Sequence, residues 1–202
     1  MRHGMATAAS VRVGARVPVT RVEGPGARYA LWVQGCTLRC PGCCNPHLFD
    51  AVGGEDVRVD TLLAEIRAVR AEIEGVTFLG GEPFQQAAAL SHVATGVREA
   101  GLSVVVFSGY TIEELRARPD QGTHALLRAA DVLVDGGYDA TRPERRRRWV
   151  GSENQRFHYL TDRYSPEIEV QAEGASWREV EVTIGADGRV RANGWPVLTR
   201  RP

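Results

Sequence analysis

Residues 60–107 read DTLLAEIRAVRAEIEGVTFLGGEPFQQAAALSHVATGVREAGLSVVVF. The apolar period changes repeatedly along this stretch. Leu62, Leu63, Ile66, Val69 and Ile73 recur at helical spacing, with Asp60 or Thr61 placed to cap the helix and Gly75 to end it. Val76 to Leu79 is a short continuous apolar run, the pattern of a buried strand. Gly80-Gly81-Glu82-Pro83 breaks that run. Leu90, Val93 and Val97 then mark one face of a second helix reaching about Ala100, where Gly101 ends it. Ser103 to Phe107 is a strand again. Helices alternating with buried strands make βαβ units, and those require a parallel sheet.

The pattern extends both ways. Upstream, Tyr29 to Val33 is a buried strand. Downstream, Thr111 and Glu114 have capping-box spacing, a short helix covers Thr123 to Ala130, and Asp131 to Val134 is a fourth strand leading to Asp135-Gly136-Gly137. After Asp139 the alternation stops. Glu179 to Ile184 alternates apolar and polar, Asp187-Gly188 is a hairpin turn, and Arg189 to Ala192 returns. The expected fold is α/β, an incomplete (βα) barrel of parallel strands with a small C-terminal β addition at about residues 165–202. An open doubly wound sheet is the alternative. Residues 1–20 read as a ragged leader with a possible edge strand, and residues 21–202 as a single domain.

The chain has 202 residues, 43% hydrophobic and 25% charged, with 25 basic and 25 acidic side chains. This is ordinary globular composition, and the balanced charge gives no global attraction to nucleic acid or to anionic membrane. All the basic residues are arginine. A genome that favours arginine codons explains the bias, but its absence of lysine also removes Schiff-base chemistry and the lysine of a phosphate-binding loop. No run approaches the ~18 apolar residues of a membrane helix, and residues 1–19 lack the apolar core of a signal peptide. A cytoplasmic location is expected.

The 4 cysteines, Cys36, Cys40, Cys43 and Cys44, fall in one short segment. Disulfides closing such small loops gain little, and clustered thiols in a cytosolic chain suggest metal. Cys36, Cys40 and Cys43 have C-x3-C-x2-C spacing. A [4Fe-4S] cubane normally takes four cysteines, so three leave one iron open, as a catalytic metal needs. A second cluster held only by this chain's cysteines is excluded. The cysteine loop, Gly-Gly-Glu-Pro, Ser108-Gly109-Tyr110 and Asp135-Gly136-Gly137 each follow a strand, the edge that carries active sites in parallel βα folds.

The C-x3-C-x2-C loop resembles the signature of the radical S-adenosylmethionine superfamily. Its flanks carry the likeness further: Gly24-Pro25-Gly26-x-Arg28, Trp-Val-Gln-Gly-Cys and Cys-Pro-Gly-Cys-x-Asn-Pro resemble the activating enzymes of glycyl-radical enzymes. Gly151-Ser152-x-Asn154-Gln155-Arg156 is similar to a segment of the branch that activates anaerobic ribonucleoside-triphosphate reductase. The likeness spans roughly residues 22–196. It implies a [4Fe-4S] cluster on Cys36, Cys40 and Cys43, and S-adenosylmethionine chelated at the open iron. It also implies a 5′-deoxyadenosyl radical that abstracts hydrogen from a glycine of a partner enzyme. Flavodoxin or a ferredoxin-type protein would be the reductant.

In the family the Gly-Gly-Glu-Pro turn, here Gly80, Gly81, Glu82 and Pro83, holds the methionyl amino group; as a bare motif it is a strand-to-helix turn. Ser108 and Tyr110 would line the ribose side or form a capped turn, and Asp135 would bind ribose hydroxyls or start a turn. Asn154 and Arg156 would hold the cofactor carboxylate or shape the partner surface. Two departures are visible. Gly42 stands where many superfamily members have an aromatic residue against adenine, and Cys44 is an extra thiol, read as structural and pointing away from Cys43. Arg142 and the Arg145–Arg148 run read as a solvated face or a dock for an acidic reductant or the partner enzyme. Two other readings stay open: a single-cluster radical enzyme acting on a small molecule, and a Cys3His zinc module using His47.

Overall fold

Arg28–Val33 forms β2, and all six of its residues are buried. A strand buried on both faces lies inside a sheet. In the computed structural model, which describes residues 9–170, 179–185, 188 and 190–194, β2 pairs in parallel with Gly75–Gly80 (β4), from Arg28 opposite Gly75 to Val33 opposite Gly80. Ser103–Phe107 (β5) and Val132–Asp135 (β6) continue the parallel set. Antiparallel strands extend it at both sides. Ser10–Thr20 (β1) pairs with β2, Glu55–Arg58 (β3) with β1, and Arg156–Tyr159 (β7) with β6. The seven-stranded sheet runs β3-β1-β2-β4-β5-β6-β7.

The two faces of this sheet differ. Tyr29, Leu31, Val33, Phe78, Val104, Val106 and Leu133 point to one face, where helices Val59–Ala68 (α1), Ala87–Glu99 (α2) and Gln121–Ala129 (α4) supply Leu62, Ile66, Leu90, Val93 and Leu126 to a single core. The alternate residues, among them Ala30, Trp32, Val105 and Val134, point to the other face. They are covered by Leu48, from the short 3-10 turn Pro46–Leu48, and by Val150, from a loop, rather than by α-helices. One helical layer on a parallel-rich mixed sheet is the arrangement the sequence leads one to expect of an α/β fold. The alternation of period 2 along each strand is what separates the layers.

Local chemistry sets the boundaries. Helix Ile112–Ala117 (α3) opens with the expected capping box: Thr111 Oγ1 accepts the Glu114 N–H at 3.3 Å, and the Glu114 carboxylate accepts the Thr111 N–H at 2.7 Å. Asp120 caps α4 by accepting the Thr123 N–H at 2.7 Å. Helix α1 is capped by neither Asp60 nor Thr61. It starts at Val59 with Arg58 as N-cap, and Asp60 sits in its first turn, where a carboxylate favours the helix dipole. It also ends at Ala68, well before Gly75, which instead opens β4. The second helix begins as a 3-10 turn at Pro83–Gln86 before α2.

The strand Ser10–Thr20 does not lie at the sheet's edge, where one was expected within residues 1–20. β1 lies inside, because Val11 and Val13 are buried against the helical face and β3 pairs along β1's first half. The tail forms Val180–Ile184 (β8) and Val190–Gly194 (β9), a separate antiparallel pair in which Ile184 faces Val190. Asp187, expected in its turn, lies outside the described residues. Among the described residues no helix is long and apolar enough to cross a membrane.

Candidate active site

The cysteine loop leaves the end of β2 and is closed at its base. The Gly35 N–H donates to Leu48 O, the Cys36 N–H to Phe49 O, and the buried Gln34 side chain to Asp50 O at 2.7 Å. Within the loop, the Cys43 N–H donates to Cys40 O at 3.1 Å. Pro41 and Gly42 fill the corner, and Gly42 has φ +77°, the residue pattern of a type II turn. This turn brings Cys43 back beside Cys40. It also accounts for the missing aromatic residue, since a bulky L side chain is strained at that φ. The ring of Tyr138 approaches instead, 3.3 Å from where a Cβ on Gly42 would lie.

Cys36, Cys40 and Cys43 line one cavity of about 540 Å³, and the ends of β4, β5 and β6 join them through Gly80, Gly81, Glu82, Ser108, Gly109 and Gly136. Burial pushes the Cys36 thiol up. The neighbouring Cys44 draws the Cys43 thiol down to about 6, with the Asn45 N–H at 3.4 Å assisting against burial. Cys44 lines the same cavity as Cys43 and does not point away from it. It sits in a bend, where the alternation of an extended chain does not apply. The Cys44 thiol is in turn pushed up by Cys43.

Three thiols on one cavity wall are a donor set that suits an iron–sulfur cluster. Among the described residues no three His, Cys, Asp or Glu side chains converge closely enough to hold one metal ion. The Cys3His set with His47 is thus not gathered around a point. A cubane spreads its ligands over several irons, and three thiols on the wall of one cavity meet that wider demand.

The Gly-Gly turn is tightly packed. A Cβ on Gly81 would lie 2.3 Å from Gly35 O, and one on Gly80 would lie 2.6 Å from the Trp32 Cβ. The Gly81 N–H donates to Val33 O at 2.8 Å and the Glu82 N–H to Gly35 O at 2.9 Å. With these donors used, what the turn has to offer a ligand amine is carbonyl oxygen. The Glu82 side chain is buried and committed. It accepts from the Phe84 N–H and Ser108 Oγ, each at 2.9 Å, and from the Gly109 N–H at 2.8 Å. Burial nevertheless raises its carboxyl to about 7.

Other expected site residues do not border the cavity. Pro83 starts the buried 3-10 turn. Tyr110 faces the helical core, its hydroxyl accepting from Gln85 at 3.0 Å and its ring lying 3.9 Å from the Arg118 guanidinium. Asp135 is fully buried and already engaged. It accepts the Ile112 N–H at 2.6 Å and Arg156 at 3.1 and 2.7 Å. Arg156 also pairs with Glu113 at 2.6 Å, so two internal carboxylates occupy it. Asn154 donates to Gly137 O at 2.7 Å.

Residues to which the sequence reading gave no cofactor role take their place. Trp32, Tyr138, Arg148, Trp149 and Gln155 line the cavity. Trp149 has φ +62°, a genuine outlier for so large a residue, and Arg148 lies 4.5 Å from its ring. No spacing rule marks a lone tryptophan after an arginine run. That run is divided by the fold. Arg147 turns inward to Glu144 at 2.7 Å and Gln155 O at 2.8 Å, Arg148 pairs with Glu179 at 3.1 Å, and Arg145 and Arg146 remain exposed.

The site and sheet belong to a recognisable class: residues 22–158 match the model of the 4Fe-4S single cluster domain. Relatives make the assignment more specific. The anaerobic ribonucleoside-triphosphate reductase-activating protein of Vibrio cholerae is 32% identical over 152 residues, covering 71% of this chain and 95% of that protein. The protein of the same name from Enterobacteria phage T4 is 31% identical over 151 residues, covering 72% and 92%, and that of Escherichia coli K12 is 30% identical over 150 residues, covering 71% and 95%. The chain belongs to this family of activating proteins, radical S-adenosylmethionine enzymes with one [4Fe-4S] cluster. Among solved structures, QueE from Escherichia coli aligns over 50% of this chain and 54% of its own, at a TM-score of 0.43 and 16% identity.

Proposed function

We propose that this protein generates a glycyl radical on an anaerobic ribonucleoside-triphosphate reductase. The observation that carries the reading is the meeting of three thiols, Cys36, Cys40 and Cys43, with the ends of β4, β5 and β6 around one cavity. These three cysteines are the cluster ligands in this reading. When bound, the cluster supplies one electron and S-adenosylmethionine supplies the 5′-deoxyadenosyl radical that takes hydrogen from the glycine.

The chain's own residues hold, orient and exclude water. The carbonyls of the Gly80-Gly81 turn are the acceptors for the methionyl amine, and Glu82 fixes that turn by tying β4 to β5. Among the described residues the arginine that lines the cavity is Arg148, paired with Glu179 at 3.1 Å, and it replaces Arg156, which does not border the cavity, as the partner proposed for the methionyl carboxylate. Trp32, Tyr138 and Trp149 give the adenosyl moiety apolar walls, which also keep water from a reactive radical. The open sheet, with β3 and β7 as its two edges and helices on one face, supports the finer reading of an incomplete (βα) barrel. Exposed Arg142, Arg145 and Arg146 suit an acidic flavodoxin or ferredoxin-type reductant, and the free cysteines suit the reducing cytoplasm.

The test is anaerobic reconstitution followed by electron paramagnetic resonance. Reconstituted protein, reductant, S-adenosylmethionine and the reductase of the same organism should give a glycyl-radical signal. Cofactor cleavage without any protein radical would favour a small-molecule substrate instead.

A further inference from the structure

The family match ends at residue 158, and the β8–β9 hairpin lies beyond it. Its two faces are used differently. Glu181 and Asn193 are cross-strand partners, and both turn toward the body of the protein. The Glu181 carboxylate accepts from Thr20 Oγ1 and from the Arg21 N–H at 2.8 Å, and Asn193 donates to Thr20 Oγ1 at 2.8 Å. The Gly194 N–H donates to Glu23 at 2.7 Å. With the polar positions facing inward, the alternate ones must face outward. Val180, Val182, Ile184 and Val190 are 44%, 61%, 71% and 67% exposed. Val182 stands opposite Ala192, and Ile184 opposite Val190, so these residues form one strip. Of the large apolar side chains exposed among the described residues, only Val52 and Val170 lie outside it. A contiguous exposed apolar strip marks an interaction site more often than isolated apolar residues do.

The strip begins where the chemistry is. Glu179, Ala192 and Gly194 line the same cavity as the three cluster cysteines. We propose that this outward face of the β8–β9 hairpin is the docking surface for the apolar segment of the reductase that carries the target glycine. The proposal rests on the function proposed above and names the part of the molecule that grips the substrate. A glycine has no side chain to recognise, so its neighbours and its backbone must be held instead. The hairpin meets both needs. Its strip accepts apolar neighbours at alternate positions, and among the described residues β8 and β9 pair only with each other. An extended segment laid beside either strand as a further strand would have its backbone held by the hairpin. The occupant follows from continuity: a segment lying on the strip is led directly to the cavity that must receive its glycine.

The test uses the full, cluster-loaded chain with Val182→Asp and Ile184→Asp together, and a milder pair, Val182→Thr and Ile184→Thr. Both sites are exposed and neither touches the cavity, so cleavage of S-adenosylmethionine by dithionite without reductase should match wild type in both. The reductase concentration giving half-maximal glycyl radical should rise at least about tenfold for the aspartate pair and about threefold for the threonine pair. Calorimetric affinity for the reductase should fall in parallel. If the aspartate pair saturates at the wild-type concentration while wild type forms the radical, the docking surface is wrong and the function stands. If wild type cleaves the cofactor yet puts no radical on the reductase, the function falls and takes this proposal with it. If sedimentation finds wild type dimeric and the aspartate pair monomeric with unchanged reductase affinity, the strip joins copies of this chain and the proposal is overturned.

Discussion

Gly42 and Gly81 set the geometry of the cysteine loop from opposite sides. Gly42 turns the chain so that Cys43 comes back toward Cys40, and Gly81 lets the end of β4 lie against the loop's first residues. Because the atoms nearest a Cβ on Gly81 are backbone oxygens, Gly35 O at 2.3 Å and Val33 O at 2.8 Å, no side chain can move aside. Gly81→Ala should cost about 1–3 kcal/mol in urea unfolding and lower the iron bound after reconstitution, since Gly35 adjoins Cys36. The cysteines themselves divide by role. Cys40→Ala should lose nearly all bound iron and all reductive cleavage of S-adenosylmethionine. Cys44→Ala should keep its iron, because the C-x3-C-x2-C set of Cys36, Cys40 and Cys43 is complete without it. Iron and sulfide analysis of the two variants checks both, and retained iron in Cys40→Ala would remove it from the ligand set.

At the scale of elements, the strands that carry the site were legible and those that frame it were not. β2, β4, β5 and β6 are uniform apolar runs next to glycine-rich turns, and a parallel strand buried on both faces writes itself in that way. β1 and β7 are mixed in pattern: β1 alternates buried and exposed residues irregularly, and β7 has no fully buried residue. Tertiary pairing rather than local pattern makes them strands. The cluster cysteines were legible because ligand spacing is local. Arg156 misled because a sequence motif does not reveal which carboxylates its guanidinium will meet. Arg156→Ala should destabilise the fold by roughly 1–3 kcal/mol by taking the guanidinium from the buried Asp135 and leaving it the Ile112 N–H and the His158 ring, while the dissociation constant for S-adenosylmethionine stays within about twofold. Arg148→Ala should weaken that binding instead. Glu82, between β4 and β5, predicts a pH effect. Its carboxyl is raised from an ordinary 4.5 to about 7 by burial, so the folded state holds this proton to higher pH than the unfolded chain does. Its contribution to stability is therefore greatest below pH 4.5 and declines as pH rises through about 7, by roughly 1–3 kcal/mol. Urea midpoints at pH 5 and 8 should differ less in Glu82→Gln than in wild type.

The whole molecule makes structural use of having arginine and no lysine. Arg28 is fully buried at the start of β2, at the opposite end of the parallel strands from the cysteine loop. Its guanidinium donates to Thr77 Oγ1 at 2.6 Å, Val76 O at 2.7 Å, and Pro25 O and Ser103 Oγ at 3.0 Å. It thereby ties together β2, β4, β5 and the Gly24-Pro25-Gly26 segment. Tyr164, after β7, joins the same group at 3.3 Å and donates to Glu74. Burial lowers the pKa of this arginine, but an arginine remains charged at any pH the fold survives. One planar fork thus holds the closed end of the sheet while the other end opens into the cavity. Lysine would keep the charge but offer three donors from a single point, and these cannot reach acceptors spread over two neighbouring strands and a loop. Arg28→Lys should leave at least two buried acceptors unpaired and lower unfolding stability by about 2–4 kcal/mol. Because the site is at the far end, the folded fraction should bind iron and S-adenosylmethionine as wild type does. Equal urea midpoints for the two proteins would show that charge alone, and not the fork, secures this end of the sheet.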